Sequence, residues 1–270
     1  MIVLVSDTSA CLTRQEAEEW GVTCIPLHYH LQGSEYEEIF SGENRGILPI
    51  LRAGERGRTE PVSAERFGQV FGALCEGGNS VLCLPISSRL SRTYANACEA
   101  ASRFAGKVAV LDSLAVGAQL KLLLERAVQR VREEKPLAEI MGELEALRDR
   151  VHTIFVPGSF EAVQRGGLVN MQNLSVSMLL NIKPLLQIRQ GEISGWGAGQ
   201  GSRDLIRHML MEVPPRAEKI LIGSYGRTMF AKSLCDEVRK TWTCPCEIVE
   251  LGPVLGIHLG DNTAGISWLA

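Results

Sequence analysis

Residues 81–86, Val-Leu-Cys-Leu-Pro-Ile, are apolar without a break, and Ser87-Ser88-Arg89-Leu90-Ser91-Arg92-Thr93-Tyr94 follows at once. After it, Ala95 to Phe104 reads as a helix. An uninterrupted apolar run of this length suits a strand buried on both faces, and such strands belong to parallel sheets covered by helices. The junction itself collects four hydroxyl-bearing side chains among Ser87, Ser88, Ser91 and Thr93, beside Arg89 and Arg92. Free backbone N–H groups and the positive end of the helix dipole make such a place an anion site. In a parallel sheet it lies at the carboxyl edge, where ligands bind.

The rest of the first portion repeats the alternation. Met1 to Ser6 reads as a buried strand, and Thr13 caps a short helix that Gly21 ends. Val22 to Leu31 reads as a second strand with His28 and His30 on one face, and Gly33 to Glu38 as a hairpin arm. Ser41 to Thr59 is a loop with one helical turn, and Ser63 opens a helix running to about Cys75. A strand over Lys107 to Asp112 precedes two long helices, Gly117–Glu133 and Leu137–Arg150.

After His152 the pattern changes. A short strand at Ile154–Val156, an apolar helix at Asn170–Asn181 and a hairpin turning at Gln190-Gly191 lead into a second α/β unit. The expected architecture is two α/β domains with the ligand between or within them. Residues 1–151 form a mostly parallel sheet flanked by helices, and residues 152–270 a mixed α/β sandwich. The segment 251–270 is expected to pack back near the anion site.

A chain of 270 residues with 45% hydrophobic and 22% charged residues can build a real core. A net charge of −3 with no basic block argues against nucleic acid and against an anionic membrane as main partner. The start lacks a secretion signal and no apolar run reaches transmembrane length, so the expected location is cytoplasmic, without integral membrane association. The eight cysteines are then expected as reduced thiols. Cys244-Pro245-Cys246 lacks a second ligand pair, and His28 with His30 lacks a third ligand, so no metal is expected.

Four places combine turn geometry with ligand-type side chains: Ser6-Asp7-Thr8-Ser9, Arg58-Thr59-Glu60-Pro61, the serine run, and Leu251 to Gly260, where three glycines frame His258. Each alone reads as caps and turns, and His258 alone as a satisfied buried histidine. Together with Asp112-Ser113, Arg165-Gly166-Gly167 and Leu180-Asn181-Ile182-Lys183-Pro184, in this order, they resemble the signature blocks of the DegV family of bacterial fatty-acid-binding proteins. The resemblance runs through nearly the whole chain.

The resemblance implies a carrier rather than an enzyme, with one long-chain fatty acid as ligand and no cofactor. It implies hydroxyls of Thr59 and Ser91 on the carboxylate, with His258 beside them. Ser88, Arg92 and Ser9 are further candidates for headgroup contacts. In some members the bound acid is presented to a separate kinase subunit that makes the acyl phosphate. Arg165 and Arg203 are the candidates for docking such a partner, and transient membrane contact stays open.

The residues themselves agree with that chemistry. A buried carboxylate needs donors, which Thr59, Ser91 and helix N–H groups supply. His258 either orients a hydroxyl or shares a proton with the acid, and burial can keep the acid neutral. Met171, Leu174, Met178, Leu179 and Ile182 give the helix over 170–182 an apolar face at i, i+3, i+4 spacing, as an acyl tunnel requires or as core would.

Four departures from the family pattern stand out: Arg92 where glycine follows the serine, Leu168 where a second basic residue stands, Glu60-Pro61 directly after Thr59, and Asp261-Asn262-Thr263 after the histidine. Arg92 either pairs with the carboxylate or points outward. The run Gly197 to Ser202 is a phosphate cradle or a plain loop, with Arg203 and Arg207 behind it. A competing reading is an enzyme on a small anionic or ester substrate, with Ser91 or Ser88 as nucleophile and His258 as base. It lacks a G-x-S-x-G elbow, and only Asp7 and Asp112 are available to orient the histidine.

Overall fold

A computed structural model describes residues 1–44, 46–167 and 182–270. Its first sheet is built from β1 (Ile2–Asp7), β2 (Val22–Ile25), β6 (Ser80–Cys83) and β7 (Val108–Val110), in the order β2-β1-β6-β7. All three pairings are parallel. Leu4, Val5, Val81, Leu82 and Cys83 are at most 2% exposed, as two-sided burial demands of parallel strands. Helix α1 (Arg14–Trp20) connects β1 to β2. Its capping box joins Thr13 and Glu16 reciprocally, and Gly21 closes it in the left-handed conformation at φ +66°.

The stretch over 22–31 is not one strand. Pro26, which cannot donate to a ladder, separates β2 from β3 (His28–Leu31), and β3 joins a small antiparallel sheet. That sheet has the order β4-β3-β5, with β4 at Ser34–Glu37 and β5 at Arg58–Glu60. Thr59 is therefore a strand residue facing Tyr29 across the β3–β5 ladder. Between β4 and β5 lies α2 (Ile47–Arg52). Helix α3 (Ala64–Glu76), capped by the Ser63 side chain, buries Phe67, Phe71 and Cys75 at i, i+4, i+8. Helix α4 (Thr93–Ala101) follows the serine run, and α5 (Ala118–Arg132) and α6 (Leu137–Leu147) follow β7.

The second sheet has six strands in the order β10-β9-β8-β13-β11-β12. They are β8 (Val151–Val156), β9 (Lys183–Arg189), β10 (Glu192–Gly199), β11 (Lys219–Tyr225), β12 (Cys246–Glu250) and β13 (Thr263–Leu269). Only β11 and β12 pair in parallel; the other neighbours are antiparallel. Helices α7 (Phe160–Arg165), α8 (Gly201–Met211), α9 (Thr228–Thr241) and α10 (Pro253–Leu259) complete the set among the described residues. No helix of the described residues is long and apolar enough to cross a membrane.

Two features depart from the sequence expectation. The glycine-framed segment around His258 is a helix, α10, begun by Pro253 at its first position. And the last residues form β13, inserted between β8 and β11 with all seven residues buried. Helix α5 packs on β1, β8, β11 and β13, so it bridges the first and second sheets. Helix α10 reaches α2, β3 and β5, which brings the end of the chain to the strand that holds Thr59.

Candidate functional site

A cavity of about 300 Å³ lies where these elements meet. One wall is a face of the six-stranded sheet. Alternation along the strands puts Thr153 and Phe155 of β8 on that face, with Ser267 and Gly265 of β13 directly opposite them. Ile188 of β9 pairs with Thr153 and with Ile193 of β10, which continues the wall. Helix α10 contributes Val254, Leu255, His258 and Leu259, and the start of α5 contributes Gly117 and Ala118. From the first sheet and its loops come Ile86, Leu90, Ser91 and Arg92, and from β5 Thr59 and Glu60. The wall is predominantly apolar, with its polar groups at 59–60, 91–92 and 258, at Thr263 and at the Thr153–Ser267 pair.

The cluster has defined geometry. Thr59 Oγ1 and His258 Nε2 are 2.7 Å apart, although 199 residues separate them in sequence. Burial, and then the positive charge of Arg165, hold the His258 imidazole below its ordinary value, so it is neutral at neutral pH. Ser91 Oγ is 2.9 Å from Thr93 Oγ1 and accepts the Thr93 N–H at 3.2 Å. Thr93 in turn accepts the Val62 N–H at 3.3 Å, and Asn96 donates to the Val62 carbonyl at 2.7 Å. Thr93 and Asn96 therefore fix the loop on which Ser91 stands. Sequence reading counted Thr93 among the hydroxyls of the serine run but passed over Asn96, which looks like an ordinary polar residue in the first turn of a helix.

The other singled-out residues divide clearly. Arg92 is exposed and lines the cavity. Ser88 is exposed, lies off the cavity wall, and donates its N–H to Asp112 at 3.1 Å. Ser9 is 1% exposed, donates its hydroxyl to Asp7 at 2.5 Å and is not among the residues bounding the cavity. Asp7 also accepts the Ile86 N–H at 2.7 Å, tying the end of β1 to the strand end that opens the serine run. Its role is to hold the loop. Arg165 is exposed at the end of α7, and the next residue, Gly166, lines the cavity. Arg203 is exposed at the start of α8 and is not among the residues bounding the cavity.

Of the helix expected to line a tunnel, Met171, Leu174, Met178 and Leu179 lie outside the described residues. Ile182 is half-buried just before β9 and is not among the residues bounding the cavity. Among the described residues, the apolar walls come from β8, β9, β10, β13, α5 and α10.

His258 bonds Thr59, and neither Ser91 nor Ser88 is its partner among the described residues. Asp7 and Asp112 are each engaged with backbone N–H groups of neighbouring loops. His28 bonds Glu35 and His30 bonds Glu60, each at 2.9 Å. These are exposed or partly exposed pairs worth little. The substitutions His28→Gln and His30→Gln together should lower stability by less than about 1 kcal/mol. Added zinc should leave the melting temperature of the parent unchanged, and a rise of several degrees would reinstate a metal site.

Comparison with known proteins follows the same direction. The model of a family described as "Uncharacterised protein, DegV family" matches residues 1–270. A DegV domain-containing protein of Deinococcus radiodurans is 27% identical over 274 residues, covering 98% of this chain and 97% of that protein. A crystal structure described as fatty acid binding of a DegV family protein from Thermus thermophilus superposes with a TM-score of 0.91 at 27% identity, covering 100% and 99% of the two chains. A DegV family protein from Eubacterium eligens, solved loaded with heptadecanoic acid, shares the fold with a TM-score of 0.86 at 19% identity over the full length of both chains.

Proposed function

The chain belongs to the DegV family, and on that footing we propose that it is a cytoplasmic carrier of one long-chain fatty acid. The carboxylate is held by Thr59 and Ser91 beside His258, and the acyl chain runs along the face of the six-stranded sheet. The carrier has two α/β units, 1–151 and 152–270. One observation carries this reading: hydroxyls and an imidazole from residues 59, 91 and 258 converge on a single cavity whose remaining walls are chiefly apolar. That is the wall chemistry of an amphiphile with one anionic end.

The donors are arranged for such a headgroup. A carboxylate moved out of water is tolerated only where hydrogen bonds replace its hydration. With the proton on Nε2, His258 donates to Thr59 Oγ1 and leaves the Thr59 O–H free to donate into the cavity. Ser91 is freed in the same way when the Thr93 hydroxyl donates to it. Arg92 adds a cation on the same wall. The Glu60 carboxylate is already matched by His30 at 2.9 Å and Arg58 at 3.3 Å, which limits its repulsion of an anionic ligand. Neutral His258, held low by burial, serves as an orienting donor rather than a counter-ion.

The same reading extends to a partner. The exposed Arg165, one residue from cavity-lining Gly166, stands beside the headgroup end, and Arg203 offers a second exposed cation. They form the docking candidates for a kinase subunit that phosphorylates the presented carboxylate.

Native mass spectrometry and lipid extraction of the purified protein test the carrier reading. About one fatty acid per chain is expected. Protein that carries no lipid, takes none up from micelles and hydrolyses small esters would refute it in favour of the enzyme.

A further inference from the structure

Helix α10 carries His258 in its last turn, and its first turn is held by a side chain more than 200 residues away. Glu38, immediately after β4, is 1% exposed, and its Oε1 accepts the Val254 N–H at 2.8 Å. Its other oxygen, Oε2, is buried and has no hydrogen-bond partner among the described residues. The fit is close: a Cβ on Gly252 would stand 2.1 Å from Oε1. Farther along the helix, a Cβ on Gly256 would stand 2.2 Å from the Tyr225 ring. The helix is thus wedged between a buried carboxylate and a buried phenol whose hydroxyl is also without a partner among the described residues.

The groups facing Glu38 come from several elements. Asp7 ends β1, Thr8 and Cys11 follow it, Tyr29 is on β3 and Tyr225 on β11. The Thr8 hydroxyl faces the carboxyl and eases its burial, and Asp7 opposes its charge. None of these groups is a cation. Burial, with Asp7 adding to it, pushes the Glu38 carboxyl up to about 7. An ionised carboxylate without a cation is a costly way to fill a core position. Breaches of this kind cluster where a protein does its work.

We propose that Glu38 is the positioning residue of the fatty-acid site. Its ionised carboxylate pins the first turn of α10, and its protonation loosens that hold and with it the grip of the Thr59–His258 pair on the headgroup. The inference rests on the carrier reading above. An ionised acceptor binds an N–H more strongly than a neutral one, and the N-terminal end of a helix favours negative charge. The pH signs of stability and grip are opposite. The folded-state value of Glu38 lies above the ordinary 4.5, so its contribution to stability is greatest below 4.5 and is lost as pH rises through about 7. Lipid grip is greatest above that value. Burial, with the charge of Arg165 adding to it, holds His258 below the ordinary imidazole value.

The test compares wild type with Glu38→Gln, which keeps an acceptor for Val254 and removes the charge. Oleate dissociation from the loaded wild type should quicken roughly tenfold as pH falls from about 8 to about 6, as loss of a charge-assisted bond implies. The variant should release at the fast rate throughout. Equal pH profiles in the two proteins would overturn the proposal. Amide exchange at Val254 supplies a readout that needs no lipid: its protection factor should rise with pH through 7 in wild type. A flat wild-type profile overturns the proposal even where the variant does not fold. Protein that binds no fatty acid at any pH, yet shows the rising profile, refutes the carrier and leaves the carboxylate–helix coupling standing.

Discussion

Replacing Thr59 and Ser91 together by alanine is expected to empty the protein of fatty acid while leaving it folded. Hydrogen bonds to a charged group contribute about 1.5–3 kcal/mol each, so losing both weakens binding by on the order of 10²- to 10⁴-fold. The structural cost is smaller. Ser91 accepts one backbone N–H, from Thr93, and Thr59 bonds only the His258 ring among the described side chains. Loss of a cap-like bond of this kind costs about 1 kcal/mol. Native mass spectrometry reads the occupancy and thermal melting reads the fold. Normal occupancy in the double variant places the headgroup elsewhere. Loss of both lipid and fold would mean that the two hydroxyls are structural.

Gly158→Ala is expected to be the most damaging glycine-to-alanine change among the described glycines. A Cβ there would lie 1.5 Å from the Asp261 carbonyl oxygen and 2.4 Å from its carbonyl carbon, both backbone atoms that no rotamer change can move. The approach is that close because the loop after β8 is laced to the end of α10. Gly158 N–H donates to Thr263 Oγ1 at 2.9 Å, and Ser159 N–H to the Leu259 carbonyl at 3.0 Å. Thr263 donates in turn to the carbonyls of Leu259 and Gly260. Pushing these segments apart moves the turn that follows His258. The expected loss is about 3 kcal/mol or more, in the upper range for single substitutions, which lowers the melting temperature by roughly 6–12 °C. Gly142→Ala in α6 is the control, since its Cβ meets nothing within 4 Å. It should be neutral or stabilising by up to about 1 kcal/mol. Equal melting of the two variants would show that the 158–261 contact is not as tight as described.

The parts of the fold that were legible in the sequence are those with strong local signals. Two-sided apolar runs marked β1 and β6, the Thr13–Glu16 box with Gly21 marked α1, and Gln190-Gly191 marked the turn between β9 and β10. What escaped had weak local signals and strong tertiary ones. Thr263 to Leu269, Thr-Ala-Gly-Ile-Ser-Trp-Leu, has too many small and hydroxyl residues to read as a buried strand. It is one because β8 and β11 supply ladders on both sides, and because Gly265 lets the Phe155 backbone pass within 2.9 Å of where a Cβ would be. The segment around His258 read as loop because its glycines argue against helix, yet those glycines are what let α10 approach Glu38 and Tyr225.

The site shows the same division. Thr59, Ser91 and His258 were reachable through ordered motif blocks, and the structure brings all three to one cavity. The supporting Asn96 and Glu38, and the wall residues Thr153, Ile188 and Ser267, were not. Their meaning depends on which strands become neighbours, which no local pattern records. Of the other hydroxyl candidates, the Ser9 side chain donates to Asp7 and the Ser88 backbone N–H to Asp112, bonds that hold those loops, and neither residue is among those bounding the cavity.

A crystal structure of the protein loaded with a saturated long-chain acid tests the central claim most directly. The account predicts the carboxylate within hydrogen-bond distance of both Thr59 Oγ1 and Ser91 Oγ, with the acyl chain lying over Gly265, Phe155 and Thr153. A chain bound in the reverse sense, with its carboxylate on Thr153 and Ser267 or away from this cavity, would contradict it.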